Sequence, residues 1–264
     1  MATIAIGDVH GNYEALEDLL AKVVPELQAA DTLVFLGDLI DRGSHSRQVV
    51  ERVVQLRGNS PFAVVALMGN HEEWMLESLR DPCCHSWLLG MGALDTISSY
   101  SPAAAQTIRQ GLEQAGLELF ERRIRLPYEA FFNTLPPGHL ELFNNLQLLH
   151  RSPDVVCVHG GIDLEGKIEG TDSKTCIWGP EGFPEAYAGE PKVVYGHHSD
   201  AIEDSGAWPQ PRVGRNRTYG IDSIVTGVLT AMRFPDGKVY QSARFRDVQL
   251  SSPARNPASN ESGL

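Results

Sequence analysis

Three times near the start of the chain an apolar run ends at a glycine, opens into a short polar loop and is followed by a helical pattern. The runs are residues 3–6, 32–36 and 62–68. The loops are Gly7-Asp8-Val9-His10-Gly11-Asn12, Gly37-Asp38-Leu39-Ile40-Asp41-Arg42-Gly43 and Gly69-Asn70-His71-Glu72. Apolar runs this short, rich in β-branched and aromatic residues, read as buried strands. Leu16, Leu19, Leu20 and Val23 recur at helical spacing after the first loop, and Val49, Val50, Val53 and Val54 after the second. Repeated β-loop-α units imply parallel strands joined by crossover helices, so the fold class is α/β. The loops then share the carboxyl edge of the sheet, where open α/β sheets bind ligands. Asn12 is placed to cap the first helix and Ser44 or Ser46 the second, with a third helix starting near Glu72.

Residues 80–150 have a different character. Helical segments at 103–114 and 140–146 are broken by prolines and glycines, which predicts a mostly helical insertion or lid. Strand patterns return at 155–158, ending in His159-Gly160-Gly161, and at 193–195, ending in Gly196-His197-His198. Residues 224–232 and 238–241, separated by Pro235-Asp236-Gly237, read as a hairpin. Residues 1–250 are expected to form one domain, and 251–264, rich in Ser, Pro and Asn, a disordered tail.

The loops of these strands would gather Asp8, His10, Asp38, Asp41, Arg42, Asn70, His71, His159 and His197. Asp, Asn and His ligands without a thiolate suit borderline-hard divalent ions such as Mn, Fe or Zn. Asp8, His10, Asp38, Asn70, His159 and His197 are too many for one tetrahedral site. They suit two ions sharing a carboxylate, with Asp38 central enough to bridge. Two ions about 3.5–4 Å apart can clamp the oxygens of an in-line displacement at phosphorus. Arg42 offers the bidentate fork that matches a phosphate. His71 can point away from the metals and protonate a leaving oxygen, with Asp41 holding its tautomer.

Composition narrows the field further. Of the 264 residues 42% are hydrophobic, enough for a substantial core. The net charge of −12 argues against non-specific nucleic-acid binding, which needs a basic face. It leaves anionic substrates open, since bound cations reverse the local sign. No apolar run approaches the roughly 20 residues of a membrane span, and the opening residues lack the basic region of a signal peptide. A cytoplasmic location is expected. Cys83, Cys84, Cys157 and Cys176 form no CxxC pair, so they read as incidental or buried thiols.

Taken together, Gly-Asp-x-His-Gly at 7–11, Gly-Asp-x-x-Asp-Arg-Gly at 37–43, Gly-Asn-His-Glu at 69–72, His-Gly-Gly at 159–161 and Gly-His at 196–197 resemble the signature of the phosphoprotein phosphatase family of calcineurin-like metallophosphoesterases, of the bacterial serine/threonine protein phosphatase type. The resemblance spans about residues 4–240. It implies a four-layer α/β/β/α sandwich of mixed sheets flanked by helices, with two divalent ions, Mn²⁺ foremost, at the strand ends. Asp8, His10 and Asp38 would hold the first ion, and Asp38, Asn70, His159 and His197 the second. Arg42 and Asn70 would bind phosphate. His71, paired with Asp41, would be the general acid, and hydroxide shared by the two metals would attack phosphorus directly, without a phosphoenzyme. One departure stands out. Family members add a second arginine to the phosphate from the segment before the last histidine, where this chain has Lys174 and Lys192; Arg212, Arg215 and Arg217 come later.

The leading function on this reading is hydrolysis of phosphoserine and phosphothreonine, with phosphotyrosine and small aryl phosphates as further substrates. The partners are a phosphorylated protein or a small phosphoester, with neither nucleic acid nor membrane. The rival is symmetric hydrolysis of dinucleoside polyphosphates such as diadenosine tetraphosphate. Relatives of that kind resemble this chain but carry alanine at the position of Asp41 and aspartate at that of Glu72. A metal-binding scaffold without turnover is the remote alternative. Simpler roles are expected for the remaining candidates: packing for His198 and Trp178, helix capping for Glu72 and Glu73, and a turn for Asp222.

Overall fold

The computed structural model describes residues 1–199, 208–214 and 217–245. The tail expected to be disordered, and Arg215, lie outside these residues. In chain order the elements are β1 (Thr3–Ile6), α1 (Tyr13–Val23), β2 (Thr32–Phe35), α2 (Ser46–Asn59), β3 (Ala63–Ala66), α3 (Asn70–Arg80), α4 (Ser86–Gly90), α5 (Ala93–Tyr100), α6 (Pro102–Ala115), α7 (Glu118–Glu121), α8 (Glu129–Phe132), α9 (Pro137–Asn144), β4 (Leu149–Arg151), β5 (Val156–Val158), α10 (Ser173–Trp178), β6 (Val193–Tyr195), β7 (Arg212–Val213), β8 (Thr218–Gly220), β9 (Thr230–Phe234) and β10 (Val239–Gln241).

The strands form two five-stranded sheets, ordered β10-β9-β1-β2-β3 and β4-β5-β6-β8-β7. In the first, β1, β2 and β3 run parallel, with Thr3 opposite Thr32 and Thr32 opposite Ala63, while β9 and β10 are antiparallel. In the second, β5, β6 and β8 are parallel and the edges β4 and β7 antiparallel. Alternation along each strand assigns its side chains to layers. Ala5, Val34 and Leu36 meet Val155, Cys157, Val194 and Ile221 in the core between the sheets. Ile4, Ile6, Leu33 and Phe35 face the other way, into a core shared with the helices. Val156, Val158, Val193 and Tyr195 pack under Cys176 of α10 and the loop residues Phe183 and Tyr187. Both faces of β1, β2, β5 and β6 are therefore buried, which explains their unbroken apolar runs, while the edge strand β3 is partly exposed. The four expected layers are present, and the layer over the second sheet is thin, with α10 its only helix among the described residues.

The helices of residues 80–150 extend the first core. Trp87, Ile97, Tyr100, Phe131 and Phe143 belong to the same buried cluster as Ile4 and Phe35. Complete burial of one such side chain contributes about 1.5–3 kcal/mol.

Several local expectations need correction. Asn12 does not cap α1: its Nδ2 donates to the carbonyls of Val9 and His10, holding the loop instead. Neither Ser44 nor Ser46 caps α2, whose N-cap is His45; the Ser46 hydroxyl points to Asp41 and Thr96. Residues 224–226, apolar and partly β-branched, form a 3₁₀ turn that ends at Gly227 with φ 81°, and the strand starts at Thr230. A chain reversal that glycine permits overrides the β propensity there. The short strands β4, β7 and β8 carry no alternation long enough to have been read.

Candidate active site

The first three loops are knitted together by their backbones. Val9 and His10 N–H both donate to the Asp38 carbonyl, at 3.0 and 2.8 Å, and Gly11 N–H to the Leu39 carbonyl at 2.9 Å. Glu72, at the start of α3, accepts the N–H groups of Asp38, Leu39 and Gly69 at 2.9, 2.8 and 3.2 Å. The second sheet joins through side chains. His159 Nδ1 donates to the Leu36 carbonyl at 3.0 Å, and the Asp8 carboxylate accepts His197 N–H at 3.0 Å. This crowding requires glycine at two points: a Cβ on Gly69 would collide with Asp38 Oδ1, and one on Gly196 with Asp8 Oδ1. His10, Asp38, Asp41, Arg42 and His197 all hold positive φ, from 45° to 71°. Such conformations cost about 1–3 kcal/mol each in non-glycine residues and persist only where the surroundings over-determine them.

Asp38 lies at the centre. Its Oδ2 is 3.5 Å from His10 Nε2, and its Oδ1 is 3.5 Å from His159 Nε2. Two groups of potential metal ligands share it: His10, Asp38 and His71 on one side, and Asp38, His159 and His197 on the other. Asn70 Oδ1 lies 2.9 Å from both His159 Nε2 and His197 Nδ1. Asp8 stands beside the first group, 4.0 Å from His10 Nε2.

The chemistry of these donors fits divalent cations. His10 Nδ1 donates to the Ile40 carbonyl, so Nε2 carries the lone pair, and that buried Nε2 has no hydrogen-bond partner. His159 is oriented in the same way by the Leu36 carbonyl, and its lone pair faces the Asn70 oxygen. Two acceptors face each other at hydrogen-bond distance where a cation would satisfy both. Burial pushes the pKa of His10 and His159 below the ordinary range and that of His197 to about 3, keeping the imidazoles in their ligand form. Burial also raises the Asp8 carboxyl well above its usual range, helped by the negative charges of Asp222 and Asp38. Burial opposes ionisation of Asp38 too, but the histidines around it, His159 first, become cationic in acid and hold it below the carboxylate range. A pocket of carboxylates with little positive charge is an incomplete electrostatic unit that cations complete.

His71 and Asp41 are wholly buried, with Nδ1 2.7 Å from Oδ2. His71 Nε2 faces the site, 3.4 Å from an Arg42 guanidinium nitrogen and 3.8 Å from Asp38 Oδ2. Burial lowers the pKa of His71, but Asp38 and the hydrogen bond to Asp41 outweigh it and raise the value above the usual range. The Arg42 charge reaches Asp8, His10 and Asp222 as well.

Every residue singled out for the site in the sequence therefore lies in one cluster, and the structure adds others. Asp222 is not a simple turn residue. It is buried, its Oδ2 accepts the backbone N–H and the hydroxyl of Ser199 at 2.8 and 2.9 Å, and its Oδ1 has no partner. Glu72 does more than cap α3, since it binds the neighbouring loop. Trp178 is only half-buried, 5.0 Å between ring centroids from Trp74 and 5.7 Å from His197. His198 donates to the Gly160 carbonyl. Trp87 and Thr96, both on Asp41, were invisible in the sequence because nothing in local spacing ties them to it. Of the cations considered as a second phosphate ligand, Arg212 pairs with Glu185 and Arg217 with Glu190, and Lys174 is exposed on α10.

Among the described residues no helix is long and apolar enough to cross a membrane. The family model of the calcineurin-like phosphoesterases matches residues 1–227. A bis(5'-nucleosyl)-tetraphosphatase PrpE [asymmetrical] of Halalkalibacterium halodurans is 27% identical, covering 95% of this chain and 97% of its own. A symmetrical bis(5'-nucleosyl)-tetraphosphatase of Sodalis glossinidius is 42% identical over only 29% of this chain and 25% of its own. Among solved structures, a protein serine/threonine phosphatase of Saccharomyces cerevisiae superposes with a TM-score of 0.55 at 14% identity, covering 94% of this chain and 82% of that one. A diadenosine tetraphosphatase candidate gives 0.56 at 20% identity, covering 91% and 92%. These two share the fold. The match over residues 1–227, on a fold of two mixed sheets flanked by helices, identifies the chain as a member of the calcineurin-like phosphoesterases, metal-dependent hydrolases of phosphoesters.

Proposed function

We propose that the chain is a dinuclear-metal phosphomonoesterase whose general acid is His71, acting on phosphoserine and phosphothreonine and on small aryl phosphates. Asp8, His10 and Asp38 would hold one ion, and Asp38, Asn70, His159 and His197 the other, with Mn²⁺ the first ion to test and Fe or Zn next. Bound there, the ions supply an activated water and shield the charge of the phosphoryl group. Arg42 and Asn70 orient that group. His71 Nε2 delivers a proton to the departing oxygen, while Asp41 holds the Nδ1–H.

The observation that carries this reading is the 2.7 Å contact between His71 Nδ1 and Asp41 Oδ2. An alkoxide is a poor leaving group, and its departure gains most from a positioned acid. A terminal phosphate leaving group gains less.

A second reading is hydrolysis of dinucleoside tetraphosphates. It draws on the PrpE relative, which this chain matches over nearly its whole length. Rates on a phosphoserine peptide, phenyl phosphate and diadenosine tetraphosphate, compared side by side with Mn²⁺, decide between the two. The first reading expects the peptide and the phenyl ester to be turned over with the larger kcat/KM. Preference for diadenosine tetraphosphate by tenfold or more would establish the second.

A further inference from the structure

Asp41 has more hydrogen-bond partners than a simple Asp–His pair requires. Its Oδ2 accepts the Trp87 indole N–H at 2.9 Å in addition to facing His71. Its Oδ1 accepts the Thr96 hydroxyl at 2.6 Å. The Thr96 oxygen in turn accepts the Asp41 backbone N–H at 2.8 Å and lies 3.0 Å from the Ser46 hydroxyl. Trp87 and Thr96 belong to α4 and α5, in the helical stretch that bears none of the sequence motifs. Both side chains are completely buried. The indole lies among Phe131, Tyr128 and Phe132, with centroids 5.4, 6.4 and 6.4 Å away.

We propose that Trp87 and Thr96 are positioning residues for the general acid, fixing the Asp41 carboxylate so that it presents Oδ2 to the His71 ring. The proposal rests on the reading of His71 as the acid. An indole N–H only donates, so it can meet Asp41 Oδ2 only as an acceptor. A carboxylate held at both oxygens cannot rotate about its Cβ–Cγ bond without breaking a buried hydrogen bond. With Oδ2 fixed as an acceptor, Nδ1 keeps its proton throughout, so the proton that the imidazolium gives up is the one on Nε2, the nitrogen beside Arg42. The ring is thereby aimed at the position of the leaving oxygen. The backbone of Asp41, at φ 71°, is held by the same Thr96 oxygen. Helices α4 and α5 thus act on the reaction from behind the catalytic pair.

The test uses the metal-loaded full chain and two substrates that differ mainly in their leaving group, phenyl phosphate and p-nitrophenyl phosphate. Trp87→Phe removes one N–H at nearly constant shape, and Thr96→Val removes the hydroxyl. Each is expected to lower kcat on phenyl phosphate by about tenfold more than on p-nitrophenyl phosphate, part of the roughly 10²–10⁴ that a positioned acid supplies. KM should hold, and Thr96→Ser should restore the wild-type ratio. Equal losses on both substrates, with or without a drop in melting temperature, would make the two residues merely structural and overturn the proposal. If Trp87→Phe fails to fold, the Thr96→Val and Thr96→Ser pair decides alone. His71→Asn separates the two levels. If it leaves the substrate ratio unchanged, the acid assignment itself fails; if it shifts the ratio and the Trp87 and Thr96 variants do not, only the positioning role fails.

Discussion

Glu72 Oε1 accepts the backbone N–H of Leu39 at 2.8 Å, although 33 residues separate the two. The same carboxylate takes the N–H groups of Asp38, Ile40 and Gly69 at 2.9, 3.3 and 3.2 Å. One buried side chain therefore shapes the loop that carries Asp38, Asp41 and Arg42, and ties it to the start of α3. Burial and the nearby Asp38 push its carboxyl up to about 8, while the N–H donors favour the anion.

Glu72→Gln replaces one acceptor oxygen with an NH₂ group that faces backbone donors. Leaving buried N–H groups unpaired costs about 1–3 kcal/mol each. A loss of about 2–4 kcal/mol is expected in urea denaturation of the metal-free protein, together with weaker metal binding. Stability within about 0.5 kcal/mol of wild type, the range of an ordinary surface change, would show that the loop holds its shape without Glu72.

Metal loading should stabilise the fold and release protons. The Asp8 carboxyl is raised by burial and by its acidic neighbours, so it carries more proton than a free aspartate at the same pH. A cation must displace that proton. Apparent affinity therefore weakens as pH falls, because protons compete for the same oxygen. Calorimetry in two buffers of different ionisation enthalpy should register net proton release on Mn²⁺ binding. At a free metal concentration of 100 Kd the gain is about 2.7 kcal/mol, or roughly 5–10 °C in Tm for a chain of this size. An unchanged Tm after chelation would contradict the site.

What was legible in the sequence follows from what is local. The strand-loop-helix units around Asp8, Asp38 and Asn70 each complete their strand and their chemistry within a dozen residues, so pattern and motif coincide. His159 and His197 were readable because each ends a buried strand. Asp222 was not, because its partner Ser199 is on a different loop and β8 before it is too short to show alternation. Glu72 was half-read: its place at a helix start was visible, its hold on Leu39 was not. Thr96 and Trp87 sit in ordinary amphipathic helices, and only the packing of those helices brings them to Asp41. Asn12 and Ser46 misled because residues with capping chemistry were taken up by long-range and loop contacts.

Asp222→Ala should loosen the loop that carries His197. In the wild type, Asp222 Oδ2 holds Ser199, two residues beyond His197, and both residues have positive φ. Groups that orient a metal ligand from outside the coordination shell change affinity by about 10–100-fold when removed. One Mn²⁺ of the pair should therefore bind at least tenfold more weakly by titration, while the other keeps its affinity. Equal weakening of both ions would place Asp222 among the general supports of the site, not on the His197 side.

Arg42→Ala tests whether one guanidinium carries most of the phosphate binding. Arg42 lies beside His71 Nε2, and its charge reaches Asp8, His10 and Asp222. Arg212 and Arg217 are paired with Glu185 and Glu190. A hydrogen bond to a charged partner contributes about 1.5–3 kcal/mol, so KM for p-nitrophenyl phosphate should rise about 10–100-fold. Arg42→Lys should recover only part of this, since an ammonium keeps the charge but loses the bidentate fork. The competitive inhibition constant of inorganic phosphate should rise in parallel with KM, because phosphate makes the same contacts without being turned over. A rise of less than about threefold in both would mean that another cation shares the phosphate, and Arg215, between the two paired arginines in sequence, would be the next residue to change.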